Sequence, residues 1–439
     1  MTTFPTRVET LIINARILTM DAAFTEIADG ALAIAGGRIA ALGPKAAAEG
    51  VTADRVIDAK GGLVLPGLIN THCHAAMTLF RGLADDRPLD GFLQTVWAAE
   101  AAHVTPETVQ AGAALGLAEM ALGGVTHVVD MYFHPAATVA AAEKLGLGLT
   151  VGPVFIGFDG IDHLPWPERL AFAEDFVTTH RDRPGIDLML MPHSCYTLDA
   201  GKLAEVTAMS GRLGVPIHVH AAEAPSEMAL AKEQHGTTPI RVLDQAGMLR
   251  PGTLLAHAVH LDDEEIALVA ERGAVVSHNP LSNAKLASGT ARIKAMRQAG
   301  VTLSLGTDGA SSGNDLDMWK AMRQAAFMQI LATGEPDVLP AREVVAMATL
   351  GGAAAIGQSD RTGVLAPGMQ ADLIVIDMSA PHLIPCFDPY SALVYAAGRE
   401  DVAHVFARGR HVVDERSLTV PIPDEIATVQ SVADAIRKA

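Results

Sequence analysis

Between residues 63 and 305, short runs rich in Val, Ile and Leu alternate with longer stretches that carry helix-start signals. Apolar runs without strict alternation are what strands covered on both faces by helices look like. The runs fall at 63–70, 125–131, 149–156, 187–191, 215–219, 254–256, 274–277 and 301–305. Thr105-Pro106-Glu107 illustrates the intervening helices, an N-cap followed by proline at the first helical position, with Gly123-Gly124 at the far end. Strand and helix units repeated in this way over about 250 residues predict an α/β protein whose centre is a (β/α)8 barrel, in preference to an open doubly wound sheet.

The pattern changes at both ends. Leu11-Ile12-Ile13, Ala31-Leu32-Ala33-Ile34 and Ile39 to Leu42, with a hairpin signal at Gly36-Gly37, read as short strands joined by turns. Residues 371–376 and 402–413, with a turn at Gly409, read the same way. We therefore expect 1–65 and 361–420 to combine into one small β domain around a catalytic barrel of 66–360, with 421–439 as a C-terminal helix.

Composition narrows the partners. With 32 Lys+Arg against 50 Asp+Glu the formal charge is −18, which argues against a nucleic-acid polymer, because phosphate binding is driven by clustered cations. A chain that is 49% hydrophobic and 19% charged folds rather than staying disordered. Cys73, Cys195 and Cys386 are odd in number and far apart, which fits a reducing compartment. No uncharged apolar run reaches the ~18 residues of a membrane span, and Arg7, Glu9, Asn14 and Arg16 interrupt the start. The expectation is a cytoplasmic protein with no membrane partner.

Polar residues gather where the predicted strands end: His72 and His74 after the first, His193 after the fourth, His220 and Glu223 after the fifth, His257, His278 and Asp308 after the last three. In a barrel these ends share one face, the face that carries the chemistry. His72 and His74 stand at i and i+2, so an extended chain points both to one side, with Cys73 facing away. With His220 and Asp308 they offer three imidazoles and a carboxylate, a set suited to one Zn2+ or Fe2+ that leaves a position for water. Glu223 could carry protons between that water and a substrate nitrogen, and His257 could orient the water or stabilise an oxyanion. Asp308 could also take the proton; the bland alternative, capping the next helix, has nearer candidates in Asn314-Asp315.

These residues sit in longer motifs. Pro66-Gly67-Leu68-Ile69-Asn70-Thr71-His72-Cys73-His74, His218-Val219-His220-Ala221-Ala222-Glu223, the stretch from Ser277-His278-Asn279-Pro280 to Ser288-Gly289, and Gly306-Thr307-Asp308-Gly309 resemble the amidohydrolase superfamily. The likeness is to its branch of 5′-methylthioadenosine/S-adenosylhomocysteine deaminases and triazine hydrolases. The resemblance implies a (β/α)8 barrel, a small β-sandwich built from both chain ends, and one metal ion held by His72, His74, His220 and Asp308. It also implies Glu223 as proton shuttle and His257 as partner of the nucleophilic water. The lysine of two-metal members has no counterpart in 187–191.

For the substrate, a small heterocycle, the resemblance implies that Glu100, following Trp97, binds ribose hydroxyls and that His193 contacts purine and ribose. It further matches Arg169 to an arginine that receives a homocysteine end. The sequence departs from the pattern at Ala98, Phe92 and Ala224, which stand where proline, tryptophan and threonine are usual. The implied reaction is deamination of 5′-methylthioadenosine, S-adenosylhomocysteine or adenosine at C6. The nearest alternative is an aminohydrolase or dechlorinase of an s-triazine, guanine or pterin; a non-catalytic, purine-binding barrel is more distant. Oligomers are common in this branch, so a homo-oligomer is compatible.

Overall fold

The computed structural model describes residues 3–87 and 89–438. Five strands open the chain: β1 (Arg7–Leu18), β2 (Glu26–Ala35), β3 (Arg38–Pro44), β4 (Thr52–Asp58) and β5 (Leu63–Pro66). Alternation decides how the first two pack. Ile12, Leu32 and Ile34 go to one apolar cluster and Leu11, Ala31 and Ala33 to another, and the antiparallel register pairs Ile12 with Leu32 and Leu11 with Ala33.

The barrel strands follow: β6 (Leu68–Cys73), β7 (Val125–Asp130), β8 (Gly148–Val151), β9 (Val154–Phe155), β10 (Ile186–Leu188), β11 (Met191–Pro192), β12 (His218–Ala221), β13 (Leu254–His257), β14 (Val275–His278) and β15 (Thr302–Leu305). β16 (Leu373–Ile376), β17 (Val402–Ala407), β18 (Arg410–Asp414) and β19 (Ser417–Leu418) then return to the first five strands, completing one nine-stranded sheet from both ends of the chain. The barrel strands run parallel, with helices between them.

Four of the eight runs differ from the sequence expectation. The run 63–70 is two strands, not one: β5 pairs with β16 in the outer sheet, and β6 starts the barrel after Gly67. A Cβ on Gly67 would lie 2.2 Å from Thr126 Cγ2, so the glycine is what lets the two sheets join here. The fifth run is displaced along the chain, because β12 spans His218–Ala221 and His220 lies inside the strand rather than beyond it. The third and fourth positions are each split, into β8 with β9 and β10 with β11.

Closure comes from two contacts. Leu190 bridges to Ile217, joining the fourth and fifth positions, and the Asp308 N–H donates to the His72 carbonyl across the β15–β6 seam at 3.0 Å. Inside, Thr71 Oγ1 lies 2.8 Å from both Ser277 Oγ and Ser304 Oγ, a buried hydroxyl layer on strands β6, β14 and β15. The C-terminal helix Pro423–Lys438 buries Val429 and Val432 against Leu79, Phe80 and Ala111, next to the turn that follows His74. No described helix is long and apolar enough to cross a membrane.

Candidate active site and metal centre

His72 reaches the barrel interior through a β-bulge. The β6–β7 register shifts between Asn70 and Cys73, so Thr71 and His72 both turn inward while Cys73 joins the core outside the barrel. His74 follows at the strand end. Asp308 comes after β15 with φ +62°, a left-handed backbone that a non-glycine residue adopts only when its surroundings demand it. Gly306 permits the approach, since a Cβ there would lie 2.3 Å from Asn279 Oδ1 and 2.9 Å from the His72 backbone nitrogen.

The ring nitrogens are sorted by their hydrogen bonds. Carbonyls only accept, so His74 Nδ1 donates to Met131 O (2.5 Å) and His220 Nδ1 to His193 O (2.8 Å). His218 Nδ1 donates to Leu254 O (3.0 Å), so its Nε2 accepts from His72 Nδ1 (2.8 Å). Each of His72, His74 and His220 is thereby left with an Nε2 lone pair. The three converge: His74 Nε2 lies 3.3 Å from His220 Nε2 and 3.3 Å from Asp308 Oδ1, and His72 Nε2 lies 3.4 Å from the same oxygen.

Buried His72 Nε2 has no hydrogen-bond partner. An unpartnered lone pair among three imidazoles and a carboxylate is what a divalent metal ion fits. Burial, reinforced at His220 by neighbouring imidazoles, holds His72 and His220 well below the ordinary imidazole range, so both rings are neutral and able to ligate. Burial alone would raise Asp308, yet the close approach of His72, with His74 and His257 nearby, keeps its carboxyl well below its usual range.

Glu223 and His257 face this centre, with Glu223 Oε2 3.8 Å from His257 Nε2. Burial raises the Glu223 carboxyl and the nearby His257 partly offsets it; His257, opposed by its own burial, is raised by Glu223 and Asp308. Two residues that the sequence did not single out hold them. Asn283 Oδ1 lies 2.8 Å from His257 Nδ1. Glu227, itself buried, accepts the N–H groups of Ala222 (3.1 Å) and Glu223 (2.6 Å), pinning the loop where Ala222 has φ +52°. His218, which sets the His72 tautomer, was likewise quoted only as part of a motif. A carboxylate four residues beyond Glu223 at a helix start was the one available signal for Glu227.

A cavity opens over the centre, lined by His74, His220, Glu223, His257 and Asp308 and, opposite them, by Phe92, Leu93 and Tyr132. It meets an outer chamber of about 440 Å³ at Trp97, Glu100, Phe133 and His193, which line both. Glu100 is buried and accepts from the Tyr132 hydroxyl at 2.6 Å; burial raises its carboxyl to about 7 against the effect of that hydrogen bond. Burial, with the nearby His74 and His257, pushes His193 down to about 4, so its ring is neutral. Trp97 is partly exposed, tilted toward Phe158 with ring centroids 6.1 Å apart, and is a wall of both spaces rather than core packing.

Three expectations need correction or refinement. Arg169 lines neither cavity; it is 1% exposed, and its guanidinium grips Asp162 through two 2.7 Å hydrogen bonds. His278, though at a strand end, lies on the opposite face of β14 from Ser277 and outside the cavity. The cap of the helix after Asp308 is Asp317, which accepts from Trp319 and Lys320, not Asn314-Asp315.

Residues 63–412 match the amidohydrolase family. The chain is 40% identical over 98% of its length to the 5-methylthioadenosine/S-adenosylhomocysteine deaminase of Syntrophobacter fumaroxidans, 99% of which is covered. It is 41% identical over 93% of its length to the 5′-deoxyadenosine deaminase of Methanosarcina mazei, with 94% of that protein covered. Among solved structures, an adenosine deaminase from Xanthomonas campestris with bound zinc superposes with a TM-score of 0.96 at 36% identity, covering 99% of this chain and all of the other.

Proposed function

The chain belongs to the amidohydrolase family and is a hydrolase acting on C–N bonds, and on that premise we propose that it deaminates adenine nucleosides, replacing the C6 amino group with oxygen and releasing ammonia. The observation that carries this reading is that one cavity is lined by His74, His220 and Asp308, by Glu223 and His257, and by the buried carboxylate of Glu100. A purine at the centre places its sugar toward Glu100, and a flat triazine has no diol for that carboxylate to bind. Zn2+ is the proposed ion, by the nitrogen-rich donor set and the zinc in the Xanthomonas campestris relative.

His72, His74, His220 and Asp308 would hold the ion. When bound, it supplies Lewis acidity that lowers the pKa of water toward neutrality. Asp308 and His257 orient the attacking water, and a carboxylate oxygen of Asp308 takes its proton. Glu223, its carboxyl raised by burial and so shifted toward the protonated form, delivers a proton to the ring nitrogen beside C6. Protonation there draws electron density away from C6 as the tetrahedral carbon forms. The proton held by Asp308 passes to the departing nitrogen, the C6–N bond breaks to release ammonia, and the hydroxyl at C6 gives its proton back to Glu223 as the carbonyl forms.

Ammonia release from 5′-methylthioadenosine, adenosine, adenine, guanine and an amino-triazine by the zinc-loaded protein tests this. Turnover of the nucleosides is expected; activity confined to free bases or triazines would move the substrate to the other heterocycles. Glu223→Gln should lower kcat by about a hundredfold or more while metal content stays near one ion per chain. Retained turnover would remove Glu223 from the reaction.

A further inference from the structure

The outer chamber lies beyond Glu100 as seen from the metal centre. If the deaminase reading holds, whatever a nucleoside carries at its 5′ position enters this chamber. Trp97, Phe133, Ile156 and Phe158 give it apolar walls, and its charged or titratable side chains apart from Glu100 are Asp159, His163 and His193. No lysine or arginine lines it among the described residues.

Arg169 and Lys202 are engaged elsewhere. Arg169 gives both ends of its fork to Asp162 and two further N–H bonds to the carbonyls of Val154 (3.1 Å) and Leu164 (3.2 Å). Lys202 pairs with Asp199 and lies over the Trp166 ring, 5.7 Å from its centroid. A carboxylate entering the chamber therefore loses water against apolar walls, meets no cation, and approaches the exposed carboxylate of Asp159. An alkyl group loses nothing comparable, and an ammonium finds Asp159.

We infer that this chamber selects the 5′ substituent by charge: it accepts neutral or cationic alkyl and thioether groups and discriminates against those ending in a carboxylate, with Asp159 a specificity-determining residue. Among thio-nucleosides, 5′-methylthioadenosine is then a substrate and a thioether whose chain ends in a carboxylate with no accompanying ammonium a poor one. The inference rests on the deaminase reading and adds to it the class of substituent taken.

Four thioethers of adenosine separate charge from length: 5′-methylthio, 5′-butylthio, 5′-(3-aminopropyl)thio and 5′-(3-carboxypropyl)thio. With the zinc-loaded enzyme at about pH 8, where free imidazole is neutral, kcat/KM should be similar for the first three. For the carboxypropyl compound it should be lower than for the butyl compound by about twentyfold, the order of discrimination a desolvated, unpaired polar group produces. In Asp159→Lys the ratio of carboxypropyl to butyl turnover should rise about fivefold or more.

Equal kcat/KM for the carboxypropyl and butyl compounds would overturn the inference, as would a butyl compound as poor as the carboxypropyl one, which would make length the criterion. The wild-type ordering decides between these whether or not the lysine variant folds. Absence of ammonia from all four, 5′-methylthioadenosine included, would instead overturn the deaminase reading beneath it.

Discussion

Glu100 carries one hydrogen bond from Tyr132 and a carboxyl that burial raises to about 7, so its ionisation falls in an assayable range. The ionised form is the better acceptor for a sugar diol. KM for a nucleoside should therefore fall as pH rises through about 7 and level off above it, and Glu100→Gln should abolish that inflection. Because the Tyr132 hydroxyl stabilises the charged form, Tyr132→Phe should move the inflection upward. A KM–pH profile without an inflection in the wild type would contradict the assignment. At the metal centre, His218 acts through His72 by fixing which nitrogen holds the proton. His218→Ala should weaken metal binding by about ten- to a hundredfold in chelator competition, with the other ligands untouched.

The elements aim these side chains through local departures from regular geometry. A bulge turns His72 inward on β6, and residues with positive φ stand at Ala222, His257 and Asp308, at or just past the ends of β12, β13 and β15. Such backbone costs energy that neighbouring contacts must meet. At the β15–β6 seam the space is already full, so Gly306→Ala should push the two strands apart. A loss of about 1–3 kcal/mol is expected in denaturant unfolding, with weaker metal retention. Wild-type stability and metal content in that variant would show that the seam has slack.

Across the whole molecule, the two ends of the chain meet around the barrel. The outer sheet joins it at Gly67, and the C-terminal helix packs on Leu79, Phe80 and Ala111 beside the segment that leads away from His74. Lys144 pairs with Glu425 to fasten the start of that helix. Removing residues 423–439 would uncover this apolar contact and loosen the turn after His74, a proposed metal ligand. The truncated chain should release its metal faster to a chelator and melt at a lower temperature than the full chain; unchanged release would uncouple the helix from the site.

The order of strands and helices, the α/β class and the set of imidazoles and carboxylates at the strand ends are local properties. They follow from runs of apolar residues and from motifs a few residues long, and so are readable along the chain. His72 and His74 could be paired from their i, i+2 spacing alone. Their meeting with His220 and Asp308 could be expected only by supposing a closed barrel. Closure, the split of residues 63–70 at Gly67 and the shift of β12 depend on partners far away in the chain, whose sterics no local pattern records. The same holds for direction. Arg169 looked available as a cation, but a charge goes to the nearest good partner in space, and the fold puts Asp162 there. Glu227, Asn283 and Tyr132 matter because of what they touch: buried polar groups must be satisfied, and which groups those are is decided when the chain packs.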